Sequence, residues 1–235
     1  MAGSSAGRLV DALLAPTKAF NAIAERPTWL LPLIVMLILA AANGLFLTQR
    51  LDFEAITRQA FADRGATPDP AEIEQAVALQ EKIAPIFGVV NPLVFGTGFF
   101  LLGALVFWVA FKMLGSELTY RSSLAAFSHA FVPTILGSLL NLPVVLRRES
   151  IDMSEVMAGG NLLASNLGAL ASEEASPVVR ALLSSADVFS VWVMLLLILG
   201  YSIVGRVSRG SAAVAVVVIW LLGVGVKVGL AALSA

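Results

Sequence analysis

The chain has 235 residues, of which 58% are hydrophobic and 13% are charged, and its formal net charge is −1. Ordinary soluble domains are about 25% charged, so this composition excludes a globular protein with a fully wetted surface and indicates a membrane protein. No basic run supports nucleic-acid binding, and the absence of cysteine excludes disulfides, thiolate nucleophiles and cysteine-ligated metals.

Residues 1–28 are predicted to form a cytoplasmic amphipathic surface segment. Apolar residues recur near helical spacing between Val10 and Ala24, with an interruption at Pro16. Three basic side chains lie near this pattern: Arg8, Lys18 and Arg26. The pattern is typical of a helix in the headgroup layer with its basic side toward anionic lipid, or of a helix packed on a membrane bundle. A helix that docks a partner protein is the alternative.

The remainder, residues 29–235, is predicted to be one membrane domain. A hydrocarbon core about 30 Å thick takes roughly 20 helical residues at about 1.5 Å each. Five apolar stretches reach or nearly reach that length, at about 29–48, 86–111, 122–146, 188–205 and 211–232. The predicted fold is therefore an all-α membrane protein with five transmembrane helices, accompanied by amphipathic helices at the N-terminus and in the loops.

Two polar segments, 49–85 and 147–187, separate these spans. The first is predicted to hold two helices, at 51–64 and 71–84, and Asp69 and Pro70 are a typical cap and first position for the second. In the other segment a helix is predicted to restart at Ser176 and Pro177. A turn-forming tract precedes this restart: Gly159, Gly160, Asn161 and Asn166. We expect short helices there that lie on the membrane face or cap the bundle.

The distribution of charge predicts the orientation. The two sides carry equal numbers of basic residues, but the amino-terminal side has about half the chain length, so its basic density is about twofold higher. Thirteen of the 16 acidic residues lie on the other side. We therefore expect the amino terminus to be cytoplasmic. With five spans, its carboxyl terminus and both polar segments are non-cytoplasmic.

Polar residues inside the spans form a predicted layer near the non-cytoplasmic face. Asn43, Asn91 and Asn141 each fall about five residues, or roughly 7 Å, inside that boundary. Lys227 lies at a similar depth and Asp187 at the mouth of the fourth span, so these two could pair. One interpretation is that the asparagines join helices and the lysine reaches the headgroups. The alternative is an interhelical pocket for a headgroup or a solute.

His129 is a further polar position, in the cytoplasmic half of the third span. A proton-linked role is one interpretation, and a hydrogen bond to a neighbouring helix is the other. Ser128 beside it points about 100° away on a helix, so the two do not form a nucleophile and base. The chain has one histidine and no carboxylate inside the spans. We therefore expect no enzyme, no metal site and no cofactor.

Small residues in the last span suggest close helix approach. Gly225 and Gly229 are four apart, the spacing of a small-residue packing pair. Packing within the chain is the default interpretation, and a homodimer through this span is the alternative.

Several stretches resemble a known family. They are "LLAPTKAFNAIAERPTWLLPL" ahead of and into the first span, "LQEKIAPIFG" entering the second, "FKMLGSELTYRSSLAAFSHAFVPTIL" across the following turn, and "SNLGAL" with "SPVVRALLSSADVFSVW" before the fourth. The chain is thereby identified as a bacterial-type member of the Yip (Ypt-interacting protein) membrane family. This resemblance implies a five-span bundle in the plasma (bacterial inner) membrane, with a cytoplasmic amino terminus. Eukaryotic members are similar to adaptors for small Rab-type GTPases, but bacterial relatives resemble them only in the membrane domain.

Three functional classes follow from these patterns. The favoured one is a non-enzymatic membrane scaffold or accessory subunit, whose partners are membrane lipids and another membrane protein or a transporter complex. The alternative is a transporter, channel or lipid-handling protein that uses the polar layer. Against it stand the missing intramembrane carboxylates and the lack of paired broken helices. An intramembrane hydrolase is the weakest of the three.

Overall fold

The computed structural model describes residues 4–153, 156, 162–163, 165–172 and 175–233. These residues are mainly helical, and the β pairings among them are two isolated bridges, Leu51 with Ile151 and Asn166 with Asp187. The predicted turn tract at Gly159, Gly160 and Asn161 lies outside the described residues.

The helices follow one another in an order close to the predicted one. In chain order they are α1 (Ser5–Leu14), α2 (Pro16–Glu25), α3 (Leu30–Thr48), α4 (Phe53–Ala62), α5 (Pro70–Met113), α6 (Tyr120–Ala130), α7 (Pro133–Arg147), a 3-10 turn (Leu167–Leu170), α8 (Pro177–Leu183), α9 (Val188–Val204) and α10 (Arg209–Leu233). By length and composition, four stretches are able to cross a membrane: α3, α5, α6 with α7, and α10. The apolar helix α9 is shorter, with 17 residues.

The amino-terminal segment packs on the bundle. Pro16 starts α2, where its missing N–H costs no hydrogen bond. Phe20 and Ile23 on α2 are fully buried, and the ring of Phe20 covers Gly200 on α9. Of the arrangements predicted for residues 1–28, the structure thus shows the helix pair packed on the membrane helices.

Helix α5 is longer than the sequence suggested. The helix predicted to end near Ala84 instead continues through Pro85 and Pro92 as one helix of 44 residues. Pro85 deprives the carbonyl of Glu81 of its helical partner, and Glu81 is exposed. Water can donate a hydrogen bond to a carbonyl at such an exposed position, so the proline does not end the helix.

The third predicted span is interrupted. Helices α6 and α7 meet at Phe131 and Val132, just ahead of Pro133. Because Pro133 has no N–H, the carbonyl of His129 accepts from the backbone of Val132 instead, at 3.3 Å. The interruption lets α7 leave the direction of α6 and pack on α3.

Tyr201 holds the centre of the bundle together. Its ring is fully buried on α9 and stacks on Phe107 and Phe111 of α5, with ring centroids 4.9 and 4.7 Å away. Its hydroxyl donates to the carbonyl of Ser123 on α6 at 3.1 Å, and the hydroxyl of Ser123 donates to the carbonyl of Ala104 on α5 at 2.7 Å. Three helices are thereby joined at one buried point.

Helices α3 and α5 approach through two glycines. A Cβ atom at Gly44 would lie 2.1 Å from the carbonyl oxygen of Gly88, and one at Gly88 would lie 2.6 Å from the carbonyl oxygen of Gly44. Pro92, four residues after Gly88, leaves that carbonyl without a helical donor. Only glycine permits this spacing, in which weak Cα–H to carbonyl contacts form between the two backbones.

Replacement of Gly88 by alanine is expected to destabilise the bundle. The added methyl group would force α3 and α5 apart, and overpacking of this kind costs about 1–3 kcal/mol. Thermal unfolding of the purified protein in a mild detergent, followed by circular dichroism, measures the effect.

Gly98→Ala is the matched control, because a Cβ at Gly98 on the same helix meets nothing within 4 Å. We expect G98A to unfold at or above the wild-type temperature, since alanine favours helix more than glycine. Equal unfolding temperatures for G88A and G98A would show that the close approach is not needed.

Candidate functional site

A large cavity lies inside the bundle. Its volume is about 850 Å³, and helices α3, α5, α6, α7, α9 and α10 all contribute to its wall. The cavity is polar near the ends of α7 and α10 and the start of α9. Toward the other face of the bundle it is apolar, and the cavity wall as a whole contains six aromatic side chains: Phe99, Phe107, Phe127, Phe131, Phe189 and Trp220.

Two of the predicted layer residues are hydrogen-bonded to each other at the polar end. Asn141 on α7 donates from Nδ2 to Oδ1 of Asn43 on α3, at 3.0 Å. Asn43 in turn donates to the carbonyls of Leu39, at 2.9 Å, and Ser138, at 3.2 Å. The pair therefore fastens α3 to α7, while Oδ1 of Asn141 is buried without a hydrogen-bond partner among the described residues.

Asp187 and Lys227 line the same cavity but do not pair with each other. Asp187 caps α9, where its Oδ1 accepts the N–H groups of Phe189 and Ser190 at 2.8 and 3.1 Å. Its other oxygen accepts a short hydrogen bond from the hydroxyl of Ser165. The ion pairs among the described residues join other side chains, so the possible Asp187–Lys227 pair does not form in the described part of the chain. The carboxylate is occupied by helix capping, which satisfies otherwise unpaired backbone donors.

Lys227 instead reaches a hydroxyl. Its Nζ donates to Oγ of Ser184, just after the end of α8, at 2.7 Å. An ammonium group has three donors, so two of them are left for another acceptor at the cavity mouth.

Asn91 does not join the layer. It is exposed and does not line the cavity. The close contact of Gly88 with Gly44 fixes the rotation of α5, and the α5 residues that reach the cavity are farther along the helix, from Phe99 to Phe107. Asn43 and Asn141 do lie at one level, as their positions in the sequence predict, but the position of a residue along a helix does not specify the direction of its side chain.

The glycines predicted to pack α10 have no neighbour within the described chain. A Cβ at Gly225 or Gly229 would meet nothing within 4 Å. The residues by which α10 is buried are Ala212 and Val216, near its start. The intrachain packing expected at this pair is therefore not found, because the contact with α9 uses another part of the helix.

His129 is fully buried on α6, away from the polar end of the cavity. Its Nδ1 lies 2.9 Å from the carbonyl of Ala125 on the same helix, rather than on a neighbouring helix as anticipated. Neither Nε2 of His129 nor Oγ of Ser128 has a hydrogen-bond partner among the described residues. The two are therefore not bonded to each other, and they do not constitute an activated nucleophile.

Arg8 is buried in the same region and fastens α1 to the chain ahead of α3. Its guanidinium donates to the carbonyl of Arg26 at 2.7 Å and to the hydroxyl of Thr28 at 2.9 Å. This basic side chain, predicted to face lipid headgroups, thus holds the segment in place.

Sequence reasoning missed most of the cavity wall. Phe99, Gly103 and Phe107 recur at a spacing of four residues, which was the available signal for one helix face. Ser184 gave no signal, because it lies in a connection whose path depends on the fold. The arrangement as a whole, an apolar cavity with a few polar groups at one end, has the usual lining of a small-molecule site.

Comparison with known proteins gives the family. The chain matches the Yip1 domain over residues 10–230. It is similar to membrane protein YknW of Bacillus subtilis (strain 168), with 21% identity over 212 residues that cover 90% of this chain and 84% of YknW. No solved structure matches the chain. Because the matched domain includes nearly all the described helices and the whole cavity wall, the chain belongs to the Yip1 family.

Proposed function

We propose that this Yip1-family protein is a non-enzymatic scaffold or accessory subunit of the bacterial inner membrane, which binds another membrane protein or a transporter complex. The observation that carries this proposal is a helical hairpin that projects from one end of the bundle. Among the described residues, no group of three or more histidines and carboxylates is placed to hold a metal ion. The projecting hairpin favours a role in binding over a catalytic role.

The hairpin consists of α4 and the first part of α5. Thr57 on α4 and Gln80 on α5 are joined by a hydrogen bond of 2.7 Å, and Ile73 is buried between the two helices. Residues 70–84 form the first part of α5, which is about 22 Å long and precedes the apolar part of the same helix. Since α5 is continuous from Pro70 to Met113, one side of the hairpin and the apolar part of α5 belong to the same helix.

The surface of the hairpin suits a protein contact. Between residues 52 and 84 the chain has seven acidic and three basic side chains. Leu79 lies in the same stretch of chain and is 59% exposed. An apolar side chain surrounded by charged ones resembles the centre and rim of a protein interface.

We also propose that the chain crosses the membrane five times, with α9 as the fourth crossing. Helix α10 follows α9 after a short turn and packs on it, so the two are antiparallel. Lys227 on α10 contacts Ser184, which lies four residues before the start of α9. The part of α10 from Arg209 to Lys227 is roughly 27 Å long, and α9 is roughly 26 Å long, so the two helices run side by side over the whole of α9. A helix that accompanies a spanning helix over this distance also spans.

In this topology the amino terminus is cytoplasmic, and the hairpin and the polar end of the cavity are non-cytoplasmic. The density of basic residues in the shorter loops supports the orientation. One form of partner binding in this proposal is a homodimer through the outward face of α10 at Gly225 and Gly229.

A transporter, channel or lipid-handling protein is the second candidate function. The single observation in its favour is the cavity of about 850 Å³ with its polar end.

The five-span topology predicts a specific labelling pattern. Because the chain has no native cysteine, single-cysteine variants report one site each. We expect Ala66→Cys and Ser172→Cys to react with a membrane-impermeant maleimide on intact spheroplasts. Glu117→Cys and Arg209→Cys should react only after the membrane is opened. Reaction of R209C from outside would mean that α9 does not cross.

The scaffold role predicts that Leu79→Glu releases a bound membrane protein. Loss of a buried leucine costs about 1.5–3 kcal/mol, so we expect at least tenfold weaker binding. The amount of partner that copurifies per tagged chain in a mild detergent measures it.

Ala78→Glu is the matched control, since Ala78 is also exposed on this helix and lies about 100° around it from Leu79. A78E should retain the partner, and both variants should keep the wild-type unfolding temperature. Equal recovery of one stoichiometric partner with L79E and A78E would exclude this face, and the absence of any such partner would count against the scaffold role.

A further inference from the structure

We propose that the cavity binds a single-chain amphiphile with an anionic headgroup, whose acyl chain lies among the aromatic rings and whose headgroup meets Lys227. This inference concerns the interior of the bundle, whereas the proposed scaffold role concerns the hairpin. The two proposals therefore fail in separate experiments.

The size of the cavity fits such a ligand. Its volume of about 850 Å³ lies within the range of about 300–1,000 Å³ for ligand sites. Along α10 its wall runs from Val216 to Lys227, a distance of roughly 16 Å. That equals about half of a hydrocarbon core of roughly 30 Å, the length of the acyl chains in one leaflet.

The apolar part of the wall requires an apolar occupant. Packed protein interiors leave few voids larger than a water molecule. Aromatic rings do not supply the hydrogen-bond partners that a buried water molecule needs, so water does not fill this part of the cavity. Phe99, Phe127 and Phe131 form a mutually contacting group here, with ring centroids 4.7 to 5.8 Å apart. An acyl chain is the apolar group that the surrounding bilayer supplies.

The polar end selects the charge of the headgroup. Lys227 forms no ion pair within the described residues, and its one hydrogen bond goes to Ser184, a neutral hydroxyl. Asp187, the carboxylate among the described residues of the cavity wall, is already bound by two backbone N–H groups and one hydroxyl. A carboxylate or phosphate group would take the remaining donors of the ammonium group.

The ligand has a route into the cavity from the membrane. Helix α5 and helix α10 have few contacts with each other, although both line the cavity. Gly223 lies in this wall, and a Cβ there would meet nothing within 4 Å. The gap beside Gly223 is therefore open enough for an acyl chain to enter laterally.

Trp220 provides a direct readout, because it lies in the cavity wall. In a variant whose other tryptophans, Trp29, Trp108 and Trp192, are changed to phenylalanine, brominated stearate and brominated stearoyl lysophosphatidate are titrated in a mild detergent. We expect at least one of them to quench Trp220 saturably, and brominated stearyl alcohol to bind about tenfold more weakly, because it lacks the charge. Binding of the carboxylate alone identifies a fatty acid, of the phosphate alone a lysophospholipid, and of both a site for either.

Two pairs of variants test the location. Gly223→Leu should abolish the quenching by filling the cavity, while Gly225→Leu, which points away from it, should leave the quenching unchanged. Lys227→Gln should reduce affinity for the anionic probes about tenfold, and Lys227→Arg should retain it. Leucine favours helix more than glycine does, so neither glycine variant weakens α10.

Three results would overturn the proposal. The first is equal quenching in G223L and G225L, and the second is equal affinity for the alcohol and both anions. The third is binding of a brominated two-chain phosphatidate as tightly as the single-chain probes, which would contradict the single-chain fit.

Discussion

Helices in lipid cannot be held together by the hydrophobic effect, because the acyl chains around them are as apolar as their own side chains. This bundle is held instead by close backbone approach and by buried polar contacts. Gly44 and Gly88 bring α3 and α5 together, and Asn43 with Asn141 joins α3 to α7. Tyr201 and Ser123 tie α9, α6 and α5 at one point. The amino-terminal helices add to this by burying Phe20 against α9.

The same constraint explains why the bundle is incomplete on one side. Helix α10 has a buried face near its start, at Ala212 and Val216, and shares few contacts with α5. Among the described residues, no small-residue contact or buried hydrogen bond joins α10 to α5, and these are the interactions that draw helices together in lipid. The cavity is the consequence, and its polar end is lined by the pair Asn43 and Asn141, by the α9 cap Asp187, and by Lys227 with Ser184.

The hairpin and the polar end of the cavity belong to the same end of the bundle. Arg50, at the end of α3, donates to the carbonyls of Leu146 and Arg148 at the end of α7, and Leu51 pairs with Ile151 close to α4. The base of the hairpin is thus connected to the helix that holds Asn141. A protein bound to the hairpin and an amphiphile bound in the cavity would therefore contact a common, continuous part of the structure.

The sequence alone determined the all-helical class, the approximate limits of the apolar stretches, the helix starts at Pro70 and Pro177, and the family. The helical class, the apolar limits and the helix starts follow from composition and from short-range preferences of caps and prolines, which act within a few residues. The family follows from the resemblance of several sequence stretches. It did not determine that α5 continues through Pro85, that Asp187 caps α9 instead of meeting Lys227, or that Asn91 lies apart from Asn43 and Asn141. Sequence spacing gives the height of a residue along a helix, whereas the rotation of that helix and its neighbours are decided by packing. The cavity could be found only in the tertiary structure, because it is the space left where six helices fail to close.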